Sequence, residues 1–329
     1  MPVFHWRSLP VSASLRGLMS ALICGSIAYD TVMVFPGRFR DHILPDKIHL
    51  LNVSFLAPEM RRNFGGCAGN IAFNLKLLGG EGLIMATAGH DFAPYRAWLH
   101  QCGLDLRYVR EVASEFTAQA YITTDDDNNQ ITAFHPGAMN HAHTNEVPRN
   151  AGITVGIVAP DGREGMIMHA AQFAAAGIPF IFDPGQGMPM FGGPELGEFV
   201  RQATWVTVND YEAQLLQDRL GRKLEDIARD VEALIVTRGA EGSTVYAGAE
   251  RFDIPAVSVT HVNDPTGCGD AYRAGLLFGL MRGYDWPTTG RIASLMGAIK
   301  IESHGTQNHR FTPGDFRARY QQSFGVDLR

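Results

Sequence analysis

Residues 262–280 of this chain have the sequence VNDPTGCGDAYRAGLLFGL. In it Gly267, Cys268 and Gly269 separate two aspartates, Asp264 and Asp270, and an apolar helix pattern starts at once behind them. Small residues at a helix N-terminus let free backbone amides close around an anion such as phosphate. A carboxylate would repel phosphate. Asp270 is therefore better suited to take a proton from a hydroxyl that attacks the phosphate. The alternative is that Asp270 only caps the helix.

No competing motif for phosphate, dinucleotide or hydrolase chemistry occurs in the sequence. The patterns GxxxxGK[ST], GxGxxG, HExxH and GxSxG are all missing. His141 and His143 form a His-x-His pair without further ligand residues at zinc spacing, which is typical of a loop. The glycine-rich helix start at residues 267–269 is therefore the best candidate for phosphate binding.

The composition is that of a globular enzyme. The 329 residues include 28 basic and 34 acidic side chains, a formal charge of −6 that argues against a broad nucleic-acid surface. Four cysteines without a CxxC pair indicate reduced thiols and a cytoplasmic protein. No apolar run is long enough to suggest a membrane span. Residues 1–18 contain two arginines and no acid, and we expect a non-essential extension there.

Short apolar runs alternate with helical patterns, which predicts an α/β fold with a mostly parallel sheet and helices on both faces. The predicted strands are ALICGSI, GLIMATAG, ITVGIVAP, PFIFDPG, TWVTVN and ALIVTRG. Between them, residues 106–140 contain short alternating β segments, of which TAQAYITTD and NQITAFH read as a hairpin joined by DDDNN. This helix-poor segment predicts a small lid, or alternatively an extension of the main sheet edge. Ligands of such sheets bind at the carboxyl ends of the strands.

At residues 264–270 the sequence resembles the C-terminal signature of the ribokinase-like, or PfkB, carbohydrate kinases, Asp-Thr-x-Gly-Ala-Gly-Asp. It departs at Pro265 and at Cys268, which replaces the usual alanine. Three further segments resemble the family's motifs in the family's order: GGCAGNIAFNLKLLG (65–79), TVNDYEA (207–213) and VTRGAEGS (236–243). The resemblance implies a ribokinase-like three-layer α/β/α sandwich with a small β-sheet lid. It makes residues 19–329 the kinase domain, with lid elements around 31–60 and 106–140.

The resemblance also implies roles for individual residues, with ATP and Mg²⁺ as cofactors. Asp270 would be the base, and the amides of Gly267, Cys268 and Gly269 would hold the developing charge. The acceptor would contact Asp30, Gly65, Gly66 and Asn70, and Mg²⁺ would be held near Asn209 and Glu212. The nucleotide would lie by Asn209, Thr237, Gly239, Gly242, Ala298 and Ser303, and a monovalent cation such as K⁺ would lie near Asp264.

The acceptor class depends on the lid, because a ribose-like ring fits either a nucleoside or a free sugar. The lid carries aromatic, Met and amide side chains that are suited to a flat base: Phe116, Gln119, Tyr121, Phe134 and Met139. We expect a nucleoside kinase for adenosine-like or other purine nucleosides. The alternatives are a free-sugar kinase of the ribokinase or fructokinase type, and a non-catalytic nucleotide sensor. The partners expected are small molecules without nucleic acid or membrane, and the chain is expected to be a monomer or homodimer.

Two further expectations concern side chains close to these motifs. Asp183 follows a predicted strand and would either order metal-bound water or cap a turn. Cys268 stands at a helix N-terminus, where the thiol pKa is often lowered, so we expect a thiol that is sensitive to oxidation.

Overall fold

The computed structural model describes residues 20–43, 52–127 and 129–328. The predicted extension at residues 1–18 lies outside the described residues, as do residues 44–51 of the first predicted lid segment.

The larger sheet of the described region has nine strands in the order β13-β12-β11-β10-β9-β8-β1-β4-β5. Their bounds are β1 Ser20–Cys24, β4 Glu81–Gly89, β5 Asp105–Val112, β8 Ile153–Val158, β9 Phe180–Phe182, β10 Trp205–Asn209, β11 Ala233–Thr237, β12 Ser243–Ala247 and β13 Glu250–Ile254. Among the described strands of this sheet, neighbours in the series β11-β10-β9-β8-β1-β4-β5 pair in parallel, and only β11-β12 and β12-β13 pair antiparallel. The predicted mostly parallel sheet is confirmed.

Helices cover both faces of this sheet. Among the described residues they are α2 Cys67–Leu77, α3 Ala93–Gln101, α4 Arg163–Ala176, α5 Gly193–Gln202, α6 Asp210–Leu220, α7 Leu224–Ile227, α8 Cys268–Arg282, α9 Trp286–Ile301 and α10 Pro313–Phe324. The short helix α1, Phe39–His42, lies instead against Asp125, whose Oδ2 accepts from the Phe39 N–H at 2.9 Å. Strand β1 separates two apolar cores. Ala21 and Ile23 pack in a core with α2, α3, α8, α9 and α10, whereas Leu22 and Cys24 pack in one with α4 to α7. The three-layer α/β/α sandwich is confirmed.

Within the described part of the chain, a second sheet of four strands, in the order β3-β2-β6-β7, forms the lid. Its strands are β2 Ala28–Val34, β3 Glu59–Gly65, β6 Ala118–Thr124 and β7 Gln130–His135. The predicted β6-β7 hairpin is present, and β2 joins it by parallel pairing with β6. Residues 105–112 pair instead with β4 at the edge of the larger sheet, so this part of the middle segment is a sheet extension. His141 and His143 lie in a short 3₁₀ helix after β7.

Helix α8 is positioned by close packing against α9. A Cβ on Gly275 would lie 2.4 Å from the Ala293 Cα, and one on Gly279 would lie 2.4 Å from the Thr289 Oγ1. Only glycine lets the two helix backbones approach so closely. At its N-terminus α8 begins after Gly267, whose φ of 78° is a left-handed conformation that favours glycine. The start of α8 is therefore fixed in place.

Candidate active site

Asp270 and Asn70 connect the two most distant sequence motifs. Asp270 lies in the first turn of α8 and Asn70 in the first turn of α2, and the Asn70 Nδ2 donates to the Asp270 Oδ2 at 2.8 Å. The Asp270 carboxylate thus reaches across to another helix, which a simple helix cap would not do. The predicted base and a predicted acceptor-binding residue are neighbours in the structure.

The pKa of Asp270 is raised to about 6. Burial is the main cause, and the Asn70 hydrogen bond opposes it. The negative charge of Asp183 raises the pKa further, and the positive charge of Arg273 lowers it. A carboxylate with a pKa near 6 is ionised at neutral pH, yet it is more basic than an ordinary aspartate. It is therefore suited to act as a general base.

The orientation of the Asn70 amide is set by residues that the sequence analysis missed. The Gln307 Nε2 donates to the Asn70 Oδ1 at 3.0 Å and also contacts the Tyr95 hydroxyl at 2.6 Å. That hydroxyl donates to the Gly65 carbonyl oxygen at 2.8 Å. Because the Asn70 Oδ1 accepts from Gln307, its amino group must face Asp270. No pattern near Gln307 marks it in the sequence, since it is 237 residues away from Asn70.

Asp30 lies directly over the glycine pair that ends β3. A Cβ built on Gly65 would come within 2.3 Å of the Asp30 Oδ2, so the carboxylate occupies the space above that glycine. Gly66 follows with a φ of 85°, which favours glycine. Burial, helped by the charge of Asp264, raises the pKa of Asp30 to about 6. The structure therefore groups Asp30, Gly65 and Gly66 as the resemblance implies.

The turn before α8 differs in part from the expectation. The Cys268 N–H donates to the Pro265 carbonyl oxygen at 3.2 Å, so this amide already has a partner. Gly267 and Gly269 are the better candidates for anion-binding amides. The expected low thiol pKa is wrong, because burial raises the pKa of Cys268 to about 11 even though the charge of Lys300 lowers it. A thiol that stays protonated is a poor nucleophile, so this position is not oxidation-prone by that route.

Asp183 has a partner that the sequence analysis did not predict. Its two oxygens accept from the Arg273 Nε at 3.0 Å and from the Arg273 Nη2 at 2.9 Å. Asp183 is 3% exposed and Arg273 is 6% exposed, so this is a buried bidentate ion pair. It joins the residue after β9 to α8, at a position three residues beyond Asp270. The pair holds the base-bearing turn against the parallel sheet.

Asn209 and Glu212 cap the start of α6 reciprocally. The Asn209 Oδ1 accepts from the Glu212 N–H at 2.7 Å, and the Glu212 Oε2 accepts from the Asn209 N–H at 2.8 Å. Burial raises the pKa of Glu212, and the charge of Asp183 adds to this rise. Oxygen donors at the carboxyl end of β10 fit Mg²⁺, which prefers oxygen ligands and retains several waters. Among the described residues no group of three or more His, Cys, Asp or Glu is arranged as a metal site.

The remaining nucleotide candidates end or follow β11, or lie in and just after α9. Thr237 ends β11, and the turn that follows it contains Gly239 and Gly242, with φ values of 52° and 86°. Ala298 is buried in α9, and the Ser303 carbonyl lies just beyond the end of that helix, where it accepts from the Lys300 Nζ. These residues therefore all lie on the C-terminal elements of the chain, between the end of β11 and the loop after α9.

The lid residues divide between two faces of the smaller sheet. Asp30, Ala120 and Phe134 are register partners on β2, β6 and β7, so their side chains share a face. Phe134 is 51% exposed, and neighbouring strands about 4.8 Å apart put its Cα about 10 Å from that of Asp30. The ring is free to stack on a ligand.

Gln119 differs from the expectation, because it lies on the opposite face of the lid. It pairs with Tyr29 in register, and its Nε2 donates to the Asp91 Oδ2 at 3.1 Å. The Tyr121 hydroxyl donates to its Oε1 at 2.7 Å. Phe116 packs against His90, with ring centroids 4.3 Å apart, and Met139 is half-buried in the 3₁₀ helix after β7. Of these residues, only Phe134 shares the face of Asp30 by strand register.

The fold and site together define a small-molecule kinase: a parallel α/β sheet with a β lid, and a raised-pKa carboxylate at a glycine-rich helix start. The model for the pfkB family of carbohydrate kinases matches residues 29–312, and the chain belongs to this family.

Nucleoside kinases are among the most similar proteins. The nucleoside kinase of Burkholderia thailandensis in complex with inosine is 51% identical, with a TM-score of 0.86 over 93% of this chain and 99% of that one. Its structure with ADP-inosine is 52% identical, with a TM-score of 0.84 over 94% and 97% of the two chains. The nucleoside kinase of Methanocaldococcus jannaschii is 32% identical over 260 residues, 78% of this chain and 85% of that protein.

Within the described ranges, none of the helices combines the length and the apolar character that a membrane crossing requires.

Proposed function

We propose that this kinase transfers the γ-phosphoryl group of ATP to the 5′-hydroxyl of a purine nucleoside. The observation that carries the proposal is the Asn70–Asp270 hydrogen bond, because it puts the acceptor-binding helix α2 and the base on α8 at one point. The similarity to a kinase solved with inosine and with ADP-inosine supports the nucleoside as acceptor.

In this mechanism the side chains have separate tasks. Asp30 accepts hydrogen bonds from two ribose hydroxyls above Gly65, and Asn70 holds the sugar beside Asp270. Asp270 takes the proton of the 5′-hydroxyl while the oxygen of that hydroxyl attacks the γ-phosphorus, and ADP leaves in line. The amides of Gly267 and Gly269 stabilise the charge on the transferring group. The lid covers the nucleoside and keeps out water, which would otherwise accept the phosphoryl group.

The proposed donor site lies at the carboxyl ends of the C-terminal strands of the larger sheet. Phosphates and ribose lie by Thr237, Gly239 and Gly242, and the adenine lies by Ala298 and Ser303. Asn209 and Glu212 would hold Mg²⁺, and the ion would supply positive charge that neutralises the phosphates. The free cysteines among the described residues fit a reducing compartment, so we propose a cytoplasmic enzyme.

The choice of a nucleoside over a free sugar rests on the lid face that Asp30 and Phe134 share. Small Ala120 lies between them in register, which leaves room for a flat group that extends from the sugar to the Phe134 ring. A free sugar would fill the Asp30 side of this face and leave the ring without a partner. The free-sugar alternative is therefore not favoured.

Replacing Phe134 with alanine is expected to raise KM for inosine about tenfold, because base–aromatic stacking contributes about 1–3 kcal/mol per base. The KM for ATP should stay unchanged. Ile131→Ala is the matched control, since Ile131 is exposed on the same strand but faces the other side of the lid. Steady-state kinetics with both substrates measure the effect. An unchanged KM for inosine in Phe134→Ala would show that the ring does not contact the base.

Removing the Asp30 carboxylate is expected to raise KM for the nucleoside by about 10- to 100-fold, the range for a lost hydrogen bond to a charged group. Gly65→Ala should have a similar effect, because its new Cβ displaces the Asp30 Oδ2. The two changes should not add, since both remove the same contact.

Gly197→Ala is the control for that series. A Cβ at this helical position would meet only the Leu220 Cδ2, at an ordinary 3.6 Å, so kinetics should not change. Asp30→Ala, Gly65→Ala and the double variant are compared by KM for inosine and for ATP. Effects that multiply in the double variant would contradict a shared contact, and equal losses for both substrates would place Asp30 outside the acceptor site.

The rate of the chemical step should fall in acid. Asp270 must be ionised to take a proton, and its pKa is about 6. As the pH falls below about 6, kcat should drop about tenfold per pH unit, and it should level off above about 7. The test is kcat at saturating substrates from pH 5 to 8. A flat profile down to pH 5 would contradict the role of Asp270 as base.

A further inference from the structure

Lys300 is a buried lysine that the mechanism does not use. It lies in the last turn of α9 with no exposed surface, and burial lowers the pKa of its ammonium group while the charge of Asp264 opposes this. Its Nζ donates to the Asp264 carbonyl oxygen at 2.7 Å and to the Ser303 carbonyl oxygen at 3.1 Å. Both acceptors are backbone carbonyl oxygens, and they belong to two different loops. Burying an ammonium group is costly, so this arrangement calls for an explanation.

The two loops that Lys300 joins flank the start of α8. One is residues 262–267, which leads into the glycine-rich turn, and the other is residues 302–306, which follows α9. The Asp264 carboxylate adds to the connection, because it accepts from the Gly305 N–H and from the Thr266 N–H, both at 2.9 Å. A Cβ on Gly267 would contact Thr306 at 2.9 Å, so the turn packs on the second loop.

The family resemblance implies a monovalent metal ion near Asp264. The contacts of Asp264 and Lys300 do not fit such an ion. The oxygens that Asp264 could offer such an ion already have partners: its carbonyl oxygen accepts from the Lys300 ammonium, and both carboxylate oxygens accept from backbone amides. An ammonium group carries the same single charge as K⁺ and is of similar size, and it binds carbonyl oxygens in the same way. The difference is that Lys300 is covalently attached to α9.

We propose that the Lys300 ammonium takes the place of the monovalent cation at the loop before α8, and that this kinase does not depend on added K⁺. Lys300 is a positioning residue: it holds the Asp264 carbonyl, and through residues 264–267 it holds the amides and the base at the start of α8. The proposal rests on the proposed phosphoryl transfer, since the loop matters for the rate only if Asp270 and the glycine amides act on the reacting groups.

The first test needs no substitution. ADP formation with inosine and the melting temperature of the wild-type protein are measured in KCl and in tetramethylammonium chloride at equal ionic strength. We expect kcat in the two salts to agree within about twofold, since the ammonium is already in place, and the melting temperature to be the same. Activation by K⁺ of about tenfold or more, or a melting temperature that rises with K⁺, would overturn the proposal. The absence of ADP formation in both salts would instead contradict the proposed function.

The second test removes the ammonium. Lys300→Met, which keeps most of the side-chain volume, should lower kcat by up to about 10²-fold, the scale for misplaced catalytic groups, with a smaller change in KM. In Lys300→Ala, K⁺ or methylammonium should restore part of kcat and raise the melting temperature, whereas tetramethylammonium is too large to do so. Lys76→Met, at a partly exposed ion pair with Glu81, is the control and should respond to no cation.

Wild-type kcat in Lys300→Met would overturn the positioning role. A low kcat in Lys300→Ala that no cation changes would show a general packing role and would also overturn the proposal. If Lys300→Ala does not fold, the kcat of the wild type in the two salts and the kcat of Lys300→Met still test the proposal.

Discussion

Replacing Asp270 with asparagine is expected to lower kcat by about 10²-fold or more, with little change in KM for ATP, because the variant lacks its general base. Asparagine keeps the size and one acceptor oxygen of the side chain, so the Asn70 Nδ2 still has a hydrogen-bond partner. The melting temperature should therefore stay close to that of the wild type. The acid limb of the kcat profile near pH 6 should disappear at the same time, because it reports the Asp270 carboxylate.

The control for this variant is Asp315→Asn. Asp315 is the third residue of α10, as Asp270 is of α8, but its carboxylate accepts from the N–H and the hydroxyl of its own N-cap, Thr312. Asparagine there should cost about 1 kcal/mol of stability or less and leave kcat unchanged. Asp270 would be only a cap if the two variants behaved alike, with near-normal turnover in both.

The second large effect is expected for the buried ion pair. Arg273→Met should destabilise the protein by about 3–5 kcal/mol, because it leaves the Asp183 carboxylate buried without its partner. Urea unfolding followed by circular dichroism measures the change. The remaining folded protein should show its acid limb of kcat at higher pH, since the charge of Arg273 lowers the pKa of Asp270.

A double variant tests whether the loss comes from the unpaired charge. Asp183→Leu combined with Arg273→Met replaces the pair by apolar side chains, and it should be more stable than Arg273→Met alone. Asp183→Leu and Arg273→Met are also measured singly. If the loss of stability in the double variant equalled the sum of the two single losses, the pair would not act as a unit. If Arg273→Met were as stable as the wild type, the carboxylate would have another partner and the bridge would not hold α8.

Local patterns were sufficient to predict much of the architecture. Buried runs such as ALICGSI and the helical stretches between them gave the order of strands and helices, and the parallel sheet then placed the motif ends at one edge. The resemblance at residues 65–79 and 264–270 implied an acceptor contact for Asn70 and the role of base for Asp270, but it did not indicate a contact between the two. Their hydrogen bond across 200 residues follows from the fold that these motifs share.

Contacts between elements far apart in sequence were not predictable. The Asp183–Arg273 pair spans 90 residues, and neither residue lies in a spacing that suggests a partner. The positions of Gln307 and Lys300 depend on how α9 and its following loop pack on α8. For Gln119, the period of two in a strand identified alternating faces, but only the pairing with β2 showed that Asp30 and Phe134 share one of them.

The most direct measurement is ADP release by the wild-type protein with ATP and Mg²⁺, run in parallel with inosine, adenosine, cytidine, ribose and fructose. We predict saturable turnover with inosine and adenosine, less with cytidine, and a kcat/KM for ribose and fructose that is about tenfold or more lower, because neither sugar reaches Phe134. Asp270→Asn should release little ADP with any of the five acceptors. Turnover with ribose or fructose equal to that with inosine, or no ADP release with any nucleoside, would contradict a nucleoside kinase.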